Sequence, residues 1–168
     1  MTLQVVDIDI LKLKVDAVVN AANVDLIEGG GICGQIFDKA GREKLKESCQ
    51  KLSPIKPGEA VITEGFDLYQ KHIIHAVGPI YNKIYKEACE KILSDAYKNS
   101  LNLAKENKIK SIAFPLISAG IYGYPEKDAF FIAKRTIDEF LKDNEMEVYL
   151  STFGKDILSL IMGWVKYY

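Results

Sequence analysis

Two glycine-rich stretches, each behind an apolar run, constrain this chain more than any other feature. The first is Glu28-Gly29-Gly30-Gly31-Ile32-Cys33-Gly34. It follows Asn20-Ala21-Ala22-Asn23 and the apolar run Val15-Asp16-Ala17-Val18-Val19. A helix-like run continues from Gln35 to Ala40. The second is Ser118-Ala119-Gly120-Ile121-Tyr122-Gly123-Tyr124-Pro125, behind Ile112-Ala113-Phe114-Pro115-Leu116-Ile117. Pro125 suits the first position of a new helix. Glycines remove Cβ atoms where something must approach the backbone closely. A helix N-terminus just behind them offers free N–H groups and a positive dipole end. Strand, glycine loop and helix in that order are the parts of an anion site, most often a phosphate site. No Lys or Arg occurs between Asn20 and Phe37 or within the second stretch. A phosphate would therefore be held by backbone amides. Two such units suggest a ligand with two phosphates, gripped from each side. Either loop taken alone also reads as a plain turn.

The remaining chain alternates between strand and helix patterns. Strands are expected over Leu3–Ile8, Glu59–Thr63, Lys71–Val77, Ile109–Ile117 and Glu147–Phe153. Helices are expected over Arg42–Lys51, with Leu45, Cys49 and Leu52 on one side, and over Tyr85–Asn107 and Pro125–Asp143. A last helix is expected from Gly154 onward, with Ile157, Ile161, Trp164 and Val165 facing inward. This alternation implies a mostly parallel sheet with helices on both faces. Ligands of such sheets sit beyond the strand C-terminal ends, where both glycine loops lie. Gly29-x-Gly31-x-x-Gly34 also matches the dinucleotide fingerprint formally. The strand does not run directly into the first glycine, and no second strand ending in an acidic residue follows about twenty positions later. Both departures count against a nicotinamide-dependent dehydrogenase.

At 168 residues the chain has the length of one domain, residues 1–168. The net charge of −1 argues against a broad basic surface for a nucleic-acid backbone. Cys33, Cys49 and Cys89 are too sparse for a disulfide framework or a structural zinc site. His72 and His75, at i and i+3 in an expected strand, point to opposite faces and cannot chelate one metal together. The first residues carry no basic n-region or apolar h-region, and no apolar run approaches ~20 residues. The expectation is a cytoplasmic protein with no cofactor, no metal and no membrane partner.

Four stretches carry a resemblance: Val15 through Asn23, Gly29 through Gly34, His75-Ala76-Val77-Gly78-Pro79, and Ser118 through Pro125. In order and spacing they resemble the macrodomain family, an ADP-ribose-binding fold, over nearly the whole chain. The resemblance implies an α/β protein, a three-layer α/β/α sandwich with a mixed, mostly parallel central sheet of about six strands. It implies ADP-ribose or its conjugates as ligand, with ADP-ribosylated proteins as a further class of partner. It is nearest to the hydrolytic type, which acts on O-acetyl-ADP-ribose or on ADP-ribosyl-carboxylate esters. A non-catalytic reader of ADP-ribose and an ADP-ribose 1″-phosphate phosphatase stay open as alternatives.

The same resemblance implies roles for particular residues. Asp9 would contact the adenine amino group, with the Ile10 backbone beside it; on its own Asp9 equally reads as a solvated turn residue. The family usually has Gly before this Asp and Thr two residues after, where this chain has Ile8 and Leu11. Phe153 would lie against the adenine ring; from the residues alone it reads as a core aromatic. Gly30, Gly31, Ile32 and Gly34 would form the first phosphate loop, and Ser118, Ala119, Gly120, Ile121 and Tyr122 the second, with the Tyr122 ring near the distal ribose. Asn23 would hydrogen-bond that ribose, with Asn20 in the same stretch. Both asparagines also suit turn or helix caps. His75 reads as a structural core histidine. Cys33 stands where the hydrolytic type usually has an Asp that accepts a proton or hydrogen bond from the attacking water. Three readings of it are open: an inert small residue, a thiolate stabilised by the helix N-terminus, or a bystander while a ligand phosphate activates water.

Overall fold

The computed structural model describes residues 2–157. One sheet contains β1 (Gln4–Val6), β2 (Ala17–Ala22), β3 (Ala60–Glu64), β4 (His72–Val77), β5 (Ser111–Phe114) and β6 (Glu147–Ser151). Their order across the sheet is β1-β6-β5-β2-β4-β3. Only β3 is antiparallel, against β4. The described helices are α1 (Gly31–Ala40), α2 (Arg42–Gln50), α3 (Lys86–Glu106) and α4 (Glu126–Leu141).

The residues of β2 divide between two cores because side chains alternate across a strand. Ala17 and Val19 join Leu93, Ala96 and Tyr97 of α3 and Ala129, Ala133 and Ile137 of α4 on one face. Val18 and Ala22 join Ile36, Phe37 and Ala40 of α1 and Leu45 of α2 on the other. A strand buried on both faces needs a near-continuous apolar run, and β2 has one. The result is the expected three-layer α/β/α sandwich with a mixed, mostly parallel sheet.

Several boundaries differ from the expectation. The β5 strand stops at Phe114, because Pro115 has no N–H with which to continue a ladder. There Tyr97 holds the departing chain: its hydroxyl donates to the Pro115 carbonyl (3.0 Å) and accepts from the Ile117 N–H (2.9 Å). The α1 helix starts at Gly31, not Gln35, so the glycine run itself builds the helix N-terminus. Leu52 is exposed, since α2 ends at Gln50. Residues 154–157 are turn and bend, with Gly154 in the left-handed region at φ +77°, and the rest of the helix expected from Gly154 onward falls on residues outside the described ones. Ile157 is buried as expected; Ile161, Trp164 and Val165 lie outside the described residues.

A line of polar groups runs through the α1/α2 core. Asn20 of β2 donates from Nδ2 to His75 Nδ1 of β4 at 3.1 Å and to Cys33 Sγ of α1 at 3.6 Å. With Nδ1 accepting, the His75 proton sits on Nε2 and is donated to Thr63 Oγ1 of β3 at 3.0 Å. Thr63 donates onward to the Glu64 carbonyl at 3.1 Å. Cys49 Sγ lies 3.8 Å from the same His75 nitrogen. His75 thus has the structural core role its sequence context suggests, as a neutral imidazole. Burial pushes its pKa down from 6.5 to about 4.

The sign of the resulting pH dependence follows. Between pH 6.5 and about 4 the unfolded chain binds a proton that folded His75 refuses, so stability falls as pH drops through that window. Above it the contribution is fully present, and below it His75 adds no further loss. The expected total is about 3 kcal/mol across the window, read from urea midpoints at several pH values. In NMR titration the folded His75 imidazole should keep neutral-ring shifts down to pH ~5; a folded-state midpoint near the ordinary value would refute the assignment.

Candidate functional site

The parallel pairing of β2 with β5, Ala17 opposite Ile112 and Val18 opposite Ala113, puts the two glycine loops side by side beyond the same edge of the sheet. The strand order turns here, with β4 on the other side of β2, and that is the usual ligand position of such sheets. A cavity of about 450 Å³ opens between the loops, inside the range of small-molecule sites.

Most of the residues singled out from sequence line this cavity. Asp9, Ile10, Asn23, Gly30, Gly31, Ile32, Cys33, Ser118, Gly120, Ile121, Tyr122 and Phe153 are all on its wall. Asn20, Gly34 and Ala119 are not. Asn20, 1 % exposed, belongs to the buried polar line instead. Gly34 has a packing role: a Cβ there would lie 2.7 Å from the Gly29 carbonyl oxygen, so only glycine lets α1 close against the loop. Ala119 is buried and turns its carbonyl to Lys155.

The first loop presents the start of α1. Gly31, Ile32 and Cys33 occupy its first turn, where N–H groups have no intrahelical acceptor. No acceptor among the described residues takes the N–H groups of Ser118, Gly120, Ile121 or Tyr122 in the second loop. Ser118 adopts φ +68°, unusual for a residue with a Cβ, and its buried hydroxyl has no partner among the described residues. The Ile121 side chain approaches Gly30 across the cavity: a Cβ on Gly30 would meet its Cδ1 at 3.6 Å. Gly78, just past β4, also lines the cavity, and a Cβ there would overlap the Ser118 hydroxyl.

The Asn23 side chain closes a turn on Ile27, donating to its carbonyl (2.8 Å) and accepting from its N–H (3.1 Å). One N–H and one lone pair of the amide are left over. The Cys33 thiol donates to the same Ile27 carbonyl at 3.7 Å and is 4 % exposed. Burial pushes its pKa up, although the Gly29 N–H and the Asn20 amide pull the other way. It is therefore a protonated thiol at neutral pH, despite its place in the first turn of α1. At the far end, Asp9 Oδ1 accepts from the Leu11 N–H at 3.0 Å, capping a short 3-10 turn, with its second oxygen free of that bond. Phe153 is 59 % exposed on the cavity wall, so it is not a core aromatic. Glu28 lies off the wall; Arg42 Nε donates to it at 2.8 Å and holds its carboxyl below the usual range.

Sequence reasoning missed Gly78, Ser151 and Lys155 on the wall. Gly78 was the easiest to find, since Gly78-Pro79 ends a strand at the same sheet edge. Nothing in the local pattern around Lys155 points toward the second loop. Among the described residues no cluster of His, Cys, Asp and Glu has the make-up of a metal site.

Comparison with known proteins agrees with this architecture. A family profile described as Macro domain matches residues 19–133. The chain is 49% identical over 140 residues to the human ADP-ribose glycohydrolase MACROD2, covering 83% of this chain and 33% of that protein. It is 47% identical over 136 residues to an O-acetyl-ADP-ribose deacetylase of Klebsiella pneumoniae, covering 79% of this chain and 77% of the relative. A solved structure of the Oceanobacillus iheyensis macrodomain with ADP superposes with a TM-score of 0.90 at 40% identity, covering 98% of this chain and 90% of that one. With such a match over most of its length, on the same strand–loop–helix framework, the chain belongs to the macro domain family.

Proposed function

We propose that this chain binds ADP-ribose, alone or as part of a conjugate, with its diphosphate across the two glycine loops and its adenine between Asp9 and Phe153. The observation that carries this reading is the convergence of two sets of unpartnered backbone N–H groups on one cavity, at the ends of adjacent parallel strands. Such amides suit an anion without side-chain charge. The free Asp9 oxygen suits an exocyclic amino group, and the exposed Phe153 ring suits a base. The Oceanobacillus relative holds ADP in the same fold, and two relatives are named as hydrolases of ADP-ribose compounds.

The second part of the proposal is hydrolysis of ADP-ribose conjugates, O-acetyl-ADP-ribose or ADP-ribose esterified to protein carboxylates. Water adds to the ester carbonyl, and ADP-ribose and the carboxylic acid leave. Asn23 orients the distal ribose with its remaining N–H and lone pair. Cys33 is not the base: a buried thiol with a raised pKa, donating to a carbonyl, cannot accept a proton from water. The remaining acceptor for that proton is a phosphate oxygen of the ligand. Slow turnover is the expected consequence. The same residue favours a second reading, a reader that binds ADP-ribose without turnover.

Gly120→Val tests the binding half. A Cβ at Gly120 meets nothing within 4 Å, so the free protein tolerates it, while a phosphate on that loop does not. Calorimetry should show one-to-one binding of ADP-ribose at micromolar level or better, roughly −8 kcal/mol, lost in Gly120→Val with the unfolding midpoint unchanged. Equal affinity in the variant would sink the two-loop reading.

Cys33 variants test the chemical half. Cys33→Ala should leave turnover of O-acetyl-ADP-ribose within about twofold, since no transition-state contact goes. Cys33→Asp places a carboxylate beside the Asn20 amide and the α1 N-terminus, and should raise turnover with ADP-ribose affinity almost unchanged. Rapid wild-type turnover that collapses about 100-fold in Cys33→Ala would instead make the thiol a working group.

A further inference from the structure

Neither glycine loop contains a cation, yet folding brings one to the second loop. Lys155 lies on the cavity wall, and among the described residues no other Lys or Arg does. Its Nζ donates to the Ala119 carbonyl at 3.2 Å and sits 3.4 Å from Glu126 Oε1. The side chain is 25 % exposed, while Glu126 is more open at 45 %. Ala119 is bonded directly to Gly120, whose N–H is among the free donors of that loop. A phosphate on those amides would lie well within a Debye length, about 8–10 Å, of the ammonium. An ammonium has three donors, and these two contacts leave one over. Its four-carbon stem lets the charge move without the backbone.

We propose that Lys155 is the cation of this pocket, sharing its charge between Glu126 and the diphosphate of the ligand. This rests on the ADP-ribose reading above and adds a specific electrostatic device to it. Glu126 acts as the counterweight. In the free protein it occupies the ammonium, and its own negative charge opposes the incoming diphosphate. Glu126 also stands in the first turn of α4, where the helix N-terminus favours a carboxylate after the lysine has turned to the ligand. Binding therefore involves competition between two anions for one cation. The affinity is set partly by salt, although the donors that define the geometry are neutral amides.

The experiment is ADP-ribose calorimetry at roughly 50 mM and roughly 500 mM salt, on the wild type, Lys155→Gln, Lys155→Arg, Glu126→Gln and the double variant Lys155→Gln with Glu126→Gln. Wild type and Lys155→Arg should weaken several-fold as salt rises. Lys155→Gln should be about tenfold weaker at low salt and nearly insensitive to salt. Its amide can still donate to the Ala119 carbonyl, so the tether on the loop is retained. Glu126→Gln should tighten binding about threefold, and that gain should vanish in the double variant. Lys155→Gln with wild-type affinity overturns the proposal. So does a Lys155→Gln that weakens with an unchanged salt response, because the residue then serves only to hold the loop. Absence of ADP-ribose binding in the wild type at both salt levels defeats the ligand reading itself, and the proposal with it.

Discussion

The parallel pairing of β5 with β2 is the contact on which everything at the site depends. Two loops about ninety residues apart in sequence present their N–H groups to one cavity only because the strands that carry them are neighbours in register. Parallel neighbours need long crossovers, and the helical segments provide them. Those segments also cover both faces of β2, which is why its run is apolar but for Asn20. Two close approaches complete the geometry: Gly34 lets α1 settle against the Gly29 carbonyl, and Gly78 leaves room for the Ser118 hydroxyl. In both places a side chain on glycine would move a loop rather than fill a space.

The α1/α2 core carries a polar line where an apolar core would be simpler. Asn20, His75 and Thr63 tie three adjacent strands together with hydrogen bonds, and Asn20 extends the tie to α1 through Cys33. Buried polar groups are tolerable only when paired, and most of these are. The Asn20 Oδ1 atom has no partner among the described residues, an arrangement that costs about 1–3 kcal/mol. The line ends at Cys33 on the cavity wall, which shares the Ile27 carbonyl with Asn23. Cys33 shows two opposing influences: a helix N-terminus lowers a thiol pKa and burial raises it. Burial wins here.

The cavity lining combines neutral donors with exposed apolar side chains. Ile121 and Phe153 are among the most exposed large hydrophobic residues of the chain, and both are on the wall. Such exposure on a core residue would be a defect; around a cavity it offers contact surface to a ligand with flat and apolar parts. Among the described residues, Asp9 and Lys155 are the charged groups at the wall.

By itself the sequence determined the local grammar of the fold and most of the site. Period-two and period-3.6 patterns placed the strands and helices, and the two glycine loops lay at strand ends whatever the neighbours proved to be. Twelve of the residues that the sequence singles out line one cavity for that reason. Boundaries depended on contacts that local pattern does not contain. The Tyr97 hydroxyl takes over the chain at Pro115, and the α1 start lies inside the glycine run, where propensity argues against a helix. Packing takes three of the singled-out residues off the cavity wall: Asn20 points into the core, Gly34 packs against the Gly29 carbonyl, and the buried Ala119 turns its carbonyl to Lys155. Lys155 is the clearest case. Its place beside the second loop follows from how the chain turns after β6, and a turn centred on Gly154 looks in sequence like the start of a helix. Charge at a site is a through-space property, so only the tertiary fold could add that cation to two loops that lack one.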